Sequence, residues 1–426
     1  MNYLAYKQYQ EVKDSWFGKI PSSWNVKRLK YYTQLINQKT NFEYTDLPYI
    51  GLEHIEPWTG NRIHDDNAEC DGIVCQFKPN DILFGKLRPY LAKVYLTNED
   101  GCVSTEALVI RPNDQVHPKY LQYFMLSPEF IHVINSATYG VKMPRANWET
   151  IGNQIMLCPS IKEQTGIISF LEKKISDIDT LITKKQKLIQ LLEEKRSALI
   201  SQVVTKGLDP NEPMNDSGVN WLGKIPDGWD LKRIKFYVRS INKKIHYENT
   251  KLPYIGLENI ESWTGKKIED DSVTSEGVVC CFEANDVLFG KLRPYLAKTY
   301  LAKSDGTCST EFLVFRPCAY VDPKYLQYFL LSPKFIDTVN ASTYGAKMPR
   351  ANWEFIANLY LTCPSLLVQK QIIQFLNDET VKIDLIKTKI KDAIERLKEY
   401  RAALITNAVT GKIALTAEKD KRFAYE

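Results

Sequence analysis

The residues of this chain best suited to chemistry are basic and tightly grouped. Lys86, Arg88 and Lys93 fall within eight residues, with Tyr90 among them and no acid. Gly85 and Pro89 suit a tight loop, so these side chains would leave a rigid turn. From such a turn a lysine can hold a phosphate, and an arginine can pair bidentately with O6 and N7 of guanine. A second group interleaves Tyr139, Lys142, Arg145 and Asn147 with Met143 and Trp148. Asparagine can bond N6 and N7 of adenine, and an aromatic or methionine side chain can stack or wedge between bases. Both groups return 205 residues later, as Lys291, Arg293, Tyr295 and Lys298, and as Tyr344, Lys347, Arg350 and Asn352. The chemistry they point to is recognition of double-stranded DNA. The plainer alternative is a solvated basic turn with Trp148 in the core.

Two further motifs repeat at the same spacing. Ser104-Thr105-Glu106 returns as Ser309-Thr310-Glu311. Its carboxylate could accept from cytosine N4 or orient an arginine, and the second role is the expectation. Trp58-Thr59-Gly60 returns as Trp263-Thr264-Gly265, a loop tip that could be a binding surface or a buried staple.

Signatures of catalysis are missing. The sequence has no phosphate-binding G-x-x-x-x-G-K-[ST], no Gly-rich dinucleotide fingerprint and no Asn-Pro-Pro-aromatic stretch. A nuclease-like acid pair could be read in Asp227 and Asp230, with Lys232, but Ser22, Asn25 and Lys27 stand in the first copy. His64, Cys70 and Cys75 could be read as zinc ligands, but Glu269 and Ser275 replace the first two. His54 is Asn259 in the other copy. The expectation is therefore no catalytic residue, no metal site and no cofactor in this chain.

Composition agrees with an ordinary folded protein of 426 residues, formal charge +5 and pI near 8.5. Basic balance this mild makes any nucleic-acid contact a matter of clustering. The nine cysteines are an odd number without a C-x-x-C, and Cys75, Cys158, Cys280 and Cys363 sit beside apolar residues. They read as reduced core thiols. No apolar run is long enough for a membrane span and the first residues lack a signal peptide, so the expected place is the cytoplasm.

The elements that must position these residues are also written twice. Trp16 matches Trp221, Tyr49 matches Tyr254, and Arg196 matches Arg401, with no insertion between. Each repeat opens on a Trp-rich turn, 16–24 or 221–229, and continues in short strand-like runs punctuated by Gly, Pro, Asn and Asp. Lys119–Leu126 reads as a short helix stopped near Ser127-Pro128. The expected class is mixed α/β, with two similar globular domains over 1–160 and 208–365. Each is followed by a long helix, over 161–207 and within 366–426. In the first helix Leu171, Ile175, Ile178, Ile182, Lys185, Ile189, Leu192, Arg196, Leu199 and Val203 step alternately by four and three. In the second, Leu376, Thr380, Ile383, Lys387, Ile390, Ile394, Leu397, Arg401, Leu404 and Ala408 do the same. That is a coiled-coil seam, and two equivalent helices would pack around a pseudo-two-fold axis. Residues 207–218 read as a linker, and the charged tail past Lys412 as frayed.

Taken together, the sequence resembles the specificity subunits of Type I restriction-modification systems. The resemblance rests on Trp221-Leu222-Gly223-Lys224-Ile225-Pro226, on Tyr139-Gly140, and on Cys158-Pro159-Ser160-Ile161-Lys162-Glu163-Gln164 at a helix start. It continues in Ile178-Asp179, Arg196-Ser197-Ala198-Leu199-Ile200 and Val409-Thr410-Gly411-Lys412. One departure is Val368-Gln369, which stands where the first copy has Glu163-Gln164. The resemblance implies two target-recognition domains that each read half of a bipartite DNA site, and an antiparallel coiled coil as spacer. It implies two methyltransferase subunits as partners, carrying S-adenosylmethionine for adenine methylation. Restriction-translocase subunits that use ATP and Mg would join them. The chain itself would be a non-catalytic reader. The near-identity of the two basic groups predicts a near-palindromic site. The competing readings are the recognition part of a fused restriction-methylation enzyme, a nuclease with an unrecognised site, and a coiled-coil scaffold without DNA binding.

Overall fold

A computed structural model describes residues 5–12, 16–65, 70–140, 142–270, 274–343 and 347–415. The chain forms two compact units, Met1–Lys184 with Asp392–Glu426, and Lys185–Lys391. Each unit joins one globular domain to parts of both long helices.

In the first unit two four-stranded sheets carry the domain. One has the order Lys39–Asn41, Ile73–Phe77, Gly101–Ser104, Tyr49–Ile50, and the other Thr33–Ile36, Ala107–Pro112, Ile82–Gly85, Val94–Leu96. Ile82–Gly85 is buried at every position, as its unbroken apolar run requires. Ala107 pairs with Gly85 and Val109 with Leu83, which sends the chain after Gly85 out of the sheet beside Glu106. At the other end Asp81, wholly buried, takes both arms of Arg111 at 2.7 Å and fixes the strand's start.

Helix Pro118–Met125 packs on this sheet, and a second helix, Pro128–Ser136, begins at once. Pro128 ends the first helix and opens the next, because its missing N–H costs nothing at a helix's first position. Tyr120, Phe124, Phe130 and Ile134 join Phe17, Ile20 and Trp24 of the opening turn in one core.

The first long helix runs Ile161–Lys206. Ser160 and Glu163 cap it reciprocally: Glu163 N–H donates to Ser160 Oγ at 3.3 Å, and Ser160 N–H to Glu163 Oε2 at 3.2 Å. Val368 cannot do this, so the second copy keeps only the bond from its N–H to Ser365 Oγ. Gln164 is the part both copies share. Fully buried, it accepts from His117 N–H and donates to the carbonyls of Gln115 and Pro159, tying helix to domain. Gln369 does the same with Asp322, Tyr320 and Pro364.

Along the second long helix, Leu366–Val409, the seam again faces inward. Leu376, Ile383, Ile390, Ile394 and Leu404 are buried. Inside the first unit Arg401 meets Asp179, and Gly166 lies against the Leu415 carbonyl. Inside the second, Glu193 pairs with Lys387 and Arg196 with Asp384. Numbers rise on one helix as they fall on the other, so the packing is antiparallel within each unit. The polar seam positions Lys387, Arg196 and Arg401 are thus filled by charged partners.

The second unit repeats the domain, with Val238–Ile241, Phe312–Pro317, Val287–Gly290 and Thr299–Leu301 in one sheet. The other has the order Lys244–His246, Val278–Phe282, Gly306–Cys308, Tyr254–Ile255. Residues 207–218 differ from the expected linker, since Met214–Asp216 pairs with Lys224–Pro226. Gly223, at φ +70°, lets the chain double back between these strands. Tyr9–Glu11 and Lys19–Pro21 form the equivalent ladder in the first unit. The charged tail beyond residue 415 lies outside the described residues.

Lys324 gives the second unit a pH signature. Burial first, then Arg196, Lys303 and Lys266, push its ammonium down to about 8. Below that pH both folded and unfolded chains hold the proton, and the folded one carries the cost. Between about 8 and the usual lysine value only the unfolded chain binds it, so stability rises with pH across that window. Lys324→Met is expected to stabilise the protein by about 1–2 kcal/mol at neutral pH and to flatten the rise. Denaturant melts from pH 7 to 11 check this; an unchanged slope would refute it.

Candidate nucleic-acid interface

The two basic groups come together in space. The Arg88 N–H donates to the Pro144 carbonyl at 2.8 Å, and the Ala146 N–H to the Lys86 carbonyl at 2.9 Å. Leu87 bridges Arg145, and Arg145 bridges Tyr139. The second unit repeats these bonds from Arg293 to Pro349 and from Ala351 to Lys291, at 2.8 and 2.9 Å. Each loop is therefore one paired structure, stitched to the strand end at Glu106 or Glu311.

Backbone geometry makes the loop unusual. Arg88 stands at φ 50°, ψ 60° and Ala92 at φ 47°, ψ 47°, both left-handed, around a single 3-10 turn at Pro89–Leu91. Arg293 and Ala297 match them within a degree or so. A side-chain-bearing residue there costs roughly 1–2 kcal/mol. The Pro144 and Pro89 carbonyls, which accept from Arg88 and Ala92, hold the loop in this form. Arg88 and Arg293 are exposed, and so are Tyr90 and Tyr295. Lys86 and Lys291 are half-buried at the base, while Lys142, Lys347 and Tyr139 are exposed. Tyr344 lies outside the described residues.

Other members of the expected set are bonded to groups of the protein itself. Lys93 donates its ammonium to the Leu52 carbonyl, and Lys298 to that of Leu257 at 2.7 Å. Burial pushes both ammonium groups down. Asn147 Oδ1 accepts from the Thr150 N–H at 2.8 Å and caps the helix Trp148–Gly152. Asn352 caps its helix in the same way from Phe355. Both asparagines are exposed, and the amide oxygen keeps a second lone pair beside the capping bond. Arg145 gives Nε and Nη2 to the two oxygens of Glu106, both at 3.1 Å, and Arg350 repeats this with Glu311.

The repeated carboxylate thus orients an arginine and fixes the second loop against the first. Sequence reasoning missed a buried turn in each unit. His54 Nδ1 accepts from Gly51 N–H at 2.9 Å, and Asn259 Oδ1 takes the same bond from Gly256 at 2.8 Å. Both side chains are buried, so this difference between the copies is internal. A shared hydrogen-bond acceptor at the same offset was the signal that could have shown it.

Among the described residues no group of three or more His, Cys, Asp or Glu is placed to hold a metal, and no helix is long and apolar enough to cross a membrane. The cysteines at 75, 102, 158, 280, 308 and 363 are free and buried.

Comparison with known proteins decides the class. The profile of the family described as Type I restriction modification DNA specificity domain matches residues 21–191 and again 227–396. The chain belongs to this family. It is a DNA sequence-recognition subunit, the non-catalytic component of a Type I restriction-modification system. Among its relatives, the Type I restriction enzyme EcoDI specificity subunit of Escherichia coli is 22% identical over 276 residues, 60% of this chain and 61% of that one. The MjaVIII specificity subunit of Methanocaldococcus jannaschii is 22% identical over 433 residues, 96% of this chain and 97% of its own. In fold, this specificity subunit is similar to a chain from a type I R-M system assembly, at TM-score 0.69 and 17% identity over 92% of this chain and 98% of that one. It is also similar to the HsdS subunit from Thermoanaerobacter tengcongensis, at TM-score 0.51 and 17% identity over 93% and 98% of the two chains.

Proposed function

We propose that each unit reads one half of a bipartite, near-palindromic DNA site through its left-handed basic loop. Arg88 and Arg293 reach base edges, with Lys86, Lys142, Lys291 and Lys347 on phosphates and Tyr90, Tyr295 and Tyr139 beside them. Arg145, Arg350, Asn147, Asn352, Lys93 and Lys298 shape and hold the loops. The observation that carries this is the same exposed arginine, in the same strained conformation, in both units. Strain of this kind persists where surrounding bonds over-determine it, as at binding sites. Like loops favour like half-sites, and the burial of His54 and Asn259 removes one source of asymmetry.

The chain would carry no chemistry of its own. Two methyltransferase subunits, holding S-adenosylmethionine, would dock on it and methylate adenine. Restriction-translocase subunits using ATP and Mg would join that complex. Exposed apolar positions on the long helices, such as Leu188, Leu191, Val381 and Leu385, offer such partners a hydrophobic footing.

The site is tested by sequencing methylated adenines in DNA from cells expressing this subunit with its methyltransferase. Half-sites related by inversion at most positions are expected. Arg88→Ala should relax the preference at one position of one half-site and cost about 1–3 kcal/mol in binding. Two unrelated half-sites would end the near-palindrome proposal, and unchanged preference in Arg88→Ala the loop assignment.

A further inference from the structure

The two basic loops are alike, but the strands beside them are not. Residues 34–46 hold Lys39 against Glu43 and Asp46. The matching residues 239–251 hold Arg239, Lys243, Lys244 and Lys251 against Glu248 alone. Gln34 has become Arg239, Gln38 has become Lys243, and Asp46 has become Lys251. All four cations of the second copy are exposed.

Their place in the sheets brings two of them, Lys243 and Lys244, beside the loop, whereas Arg239 pairs with Arg316 towards the other end. Val314 pairs with Ile241 on one side and with Leu288 on the other, and Phe312 pairs with Gly290. Beyond Ile241 the chain therefore runs to the sheet end from which Lys291 and Arg293 leave. Lys243 sits there, its carbonyl accepting from Cys281 N–H at 2.8 Å. Lys244 opens the edge strand Lys244–His246 and pairs with Cys280. Burial pushes the Cys280 thiol up, and Lys244 and Lys291 both pull it back, as Lys39 and Lys86 do at Cys75, so each edge lysine shares its loop lysine's neighbourhood and Lys243 is the charge added there in the second unit.

Lysines on an edge strand often serve only to block edge-to-edge pairing. Here both copies have the same edge strand and only one carries the extra charge, so edge protection does not account for it. We propose that the Lys243–Lys244 edge of the second unit is a phosphate-binding surface, gripping the DNA backbone beside the half-site read by the Lys291–Arg293 loop, and that it is stronger than its first-unit counterpart, where Lys39 matches Lys244 but Gln38 stands in place of Lys243. This rests on the placing of that loop on DNA proposed above. The subunit then holds its two half-sites unequally: equal in what they read, unequal in how tightly they are gripped. Phosphate contacts carry no sequence information, so the lopsidedness appears in salt dependence and not in the recognised bases.

The test measures binding of the full chain to a short random-sequence duplex across a salt series. Lys243→Gln, which installs the residue the first unit already carries, should lower the slope of log affinity against log salt by about one. Gln38→Lys in the first unit should raise it by about the same amount, since the loop beside it is equivalent. The loop variant Lys291→Ala/Arg293→Ala is measured in parallel. If the loop variant weakens binding and Lys243→Gln leaves the slope unchanged, the edge surface is overturned and the loop stands, whatever Gln38→Lys does. If neither variant alters binding, the loop assignment falls and takes the edge with it.

Discussion

Truncation after Pro364 is expected to unfold both units, not only the one that loses contiguous chain. In the first unit the core includes Leu404, Ile405, Ala408, Val409 and Ile413. Four of these are large side chains, and burying each is worth roughly 1.5–3 kcal/mol, so the loss is on the order of 8 kcal/mol. Whole-domain stability is typically about 5–15 kcal/mol. The Tyr120 hydroxyl, which donates to the Leu157 or Val409 carbonyl inside this core, loses one of its acceptors as well. In the second unit Ile372 and Leu376 leave the core. Residues 1–364 should therefore melt without a cooperative transition, and the separate 365–426 segment should restore it. Circular dichroism melts of the cut chain, alone and mixed with that segment, give the answer. A cut chain that melts like the whole one would show that the helices decorate the domains and do not complete them.

Arg401→Ala is expected to cost about 2–4 kcal/mol, a large effect for one helix residue. The residue is 8% exposed, and its guanidinium spans three groups. Nη1 donates to the Trp58 carbonyl at 2.7 Å, Nη2 to that of Thr59 at 3.0 Å, and Nε lies 3.3 Å from Asp179 Oδ1. Trp58 stands at φ 66°, so the arginine also holds a strained loop in place. Burial pushes the Asp179 carboxyl up and Arg401 pulls it back; without the arginine it should titrate higher still. Arg401→Lys should recover only part of the loss, because one ammonium cannot serve two carbonyls and a carboxylate at these separations. Denaturant titration of both variants measures this. A cost below about 1 kcal/mol for the alanine variant would mean the pair is merely a solvated contact.

Much of this was legible in the chain, for a physical reason. A seam that steps by four and three is a statement about which helix face is apolar, and Leu171, Ile175, Ile178, Leu376, Ile383, Ile390 and Ile394 are indeed buried along it. The duplication carried each inference from one copy to the other. What composition could not show was direction. Lys93 and Lys86 look alike in sequence, yet one ammonium bonds a carbonyl within the fold and the other stands at the loop base. Arg145 reads as a free cation until Glu106 is seen across from it. Asn147 precedes a helix too short for its period to be visible, so its capping role was hidden. The hairpin at Met214–Asp216 is written in residues that ordinarily make linkers, and only its partner strand makes it a strand. The left-handed turn at Arg88 has no glycine to announce it.

The division of the chain also sets an order of events during synthesis. The second unit is continuous, Lys185–Lys391, whereas the first needs its own beginning and the last stretch of chain. A ribosome completes the second unit's material while the first still waits with Ile167, Leu171 and Ile175 uncovered. Until residue 392 and those after it emerge, the nearest sequence able to cover them is the chain's own 187–204, the repeat of 392–409. Domains tend to fold as they are made, and repeats invite the wrong neighbour. The first unit is thus finished after the second. Slowing translation over the codons for residues 392–415 would lengthen the interval in which the nascent chain can pair with itself or with a sister chain.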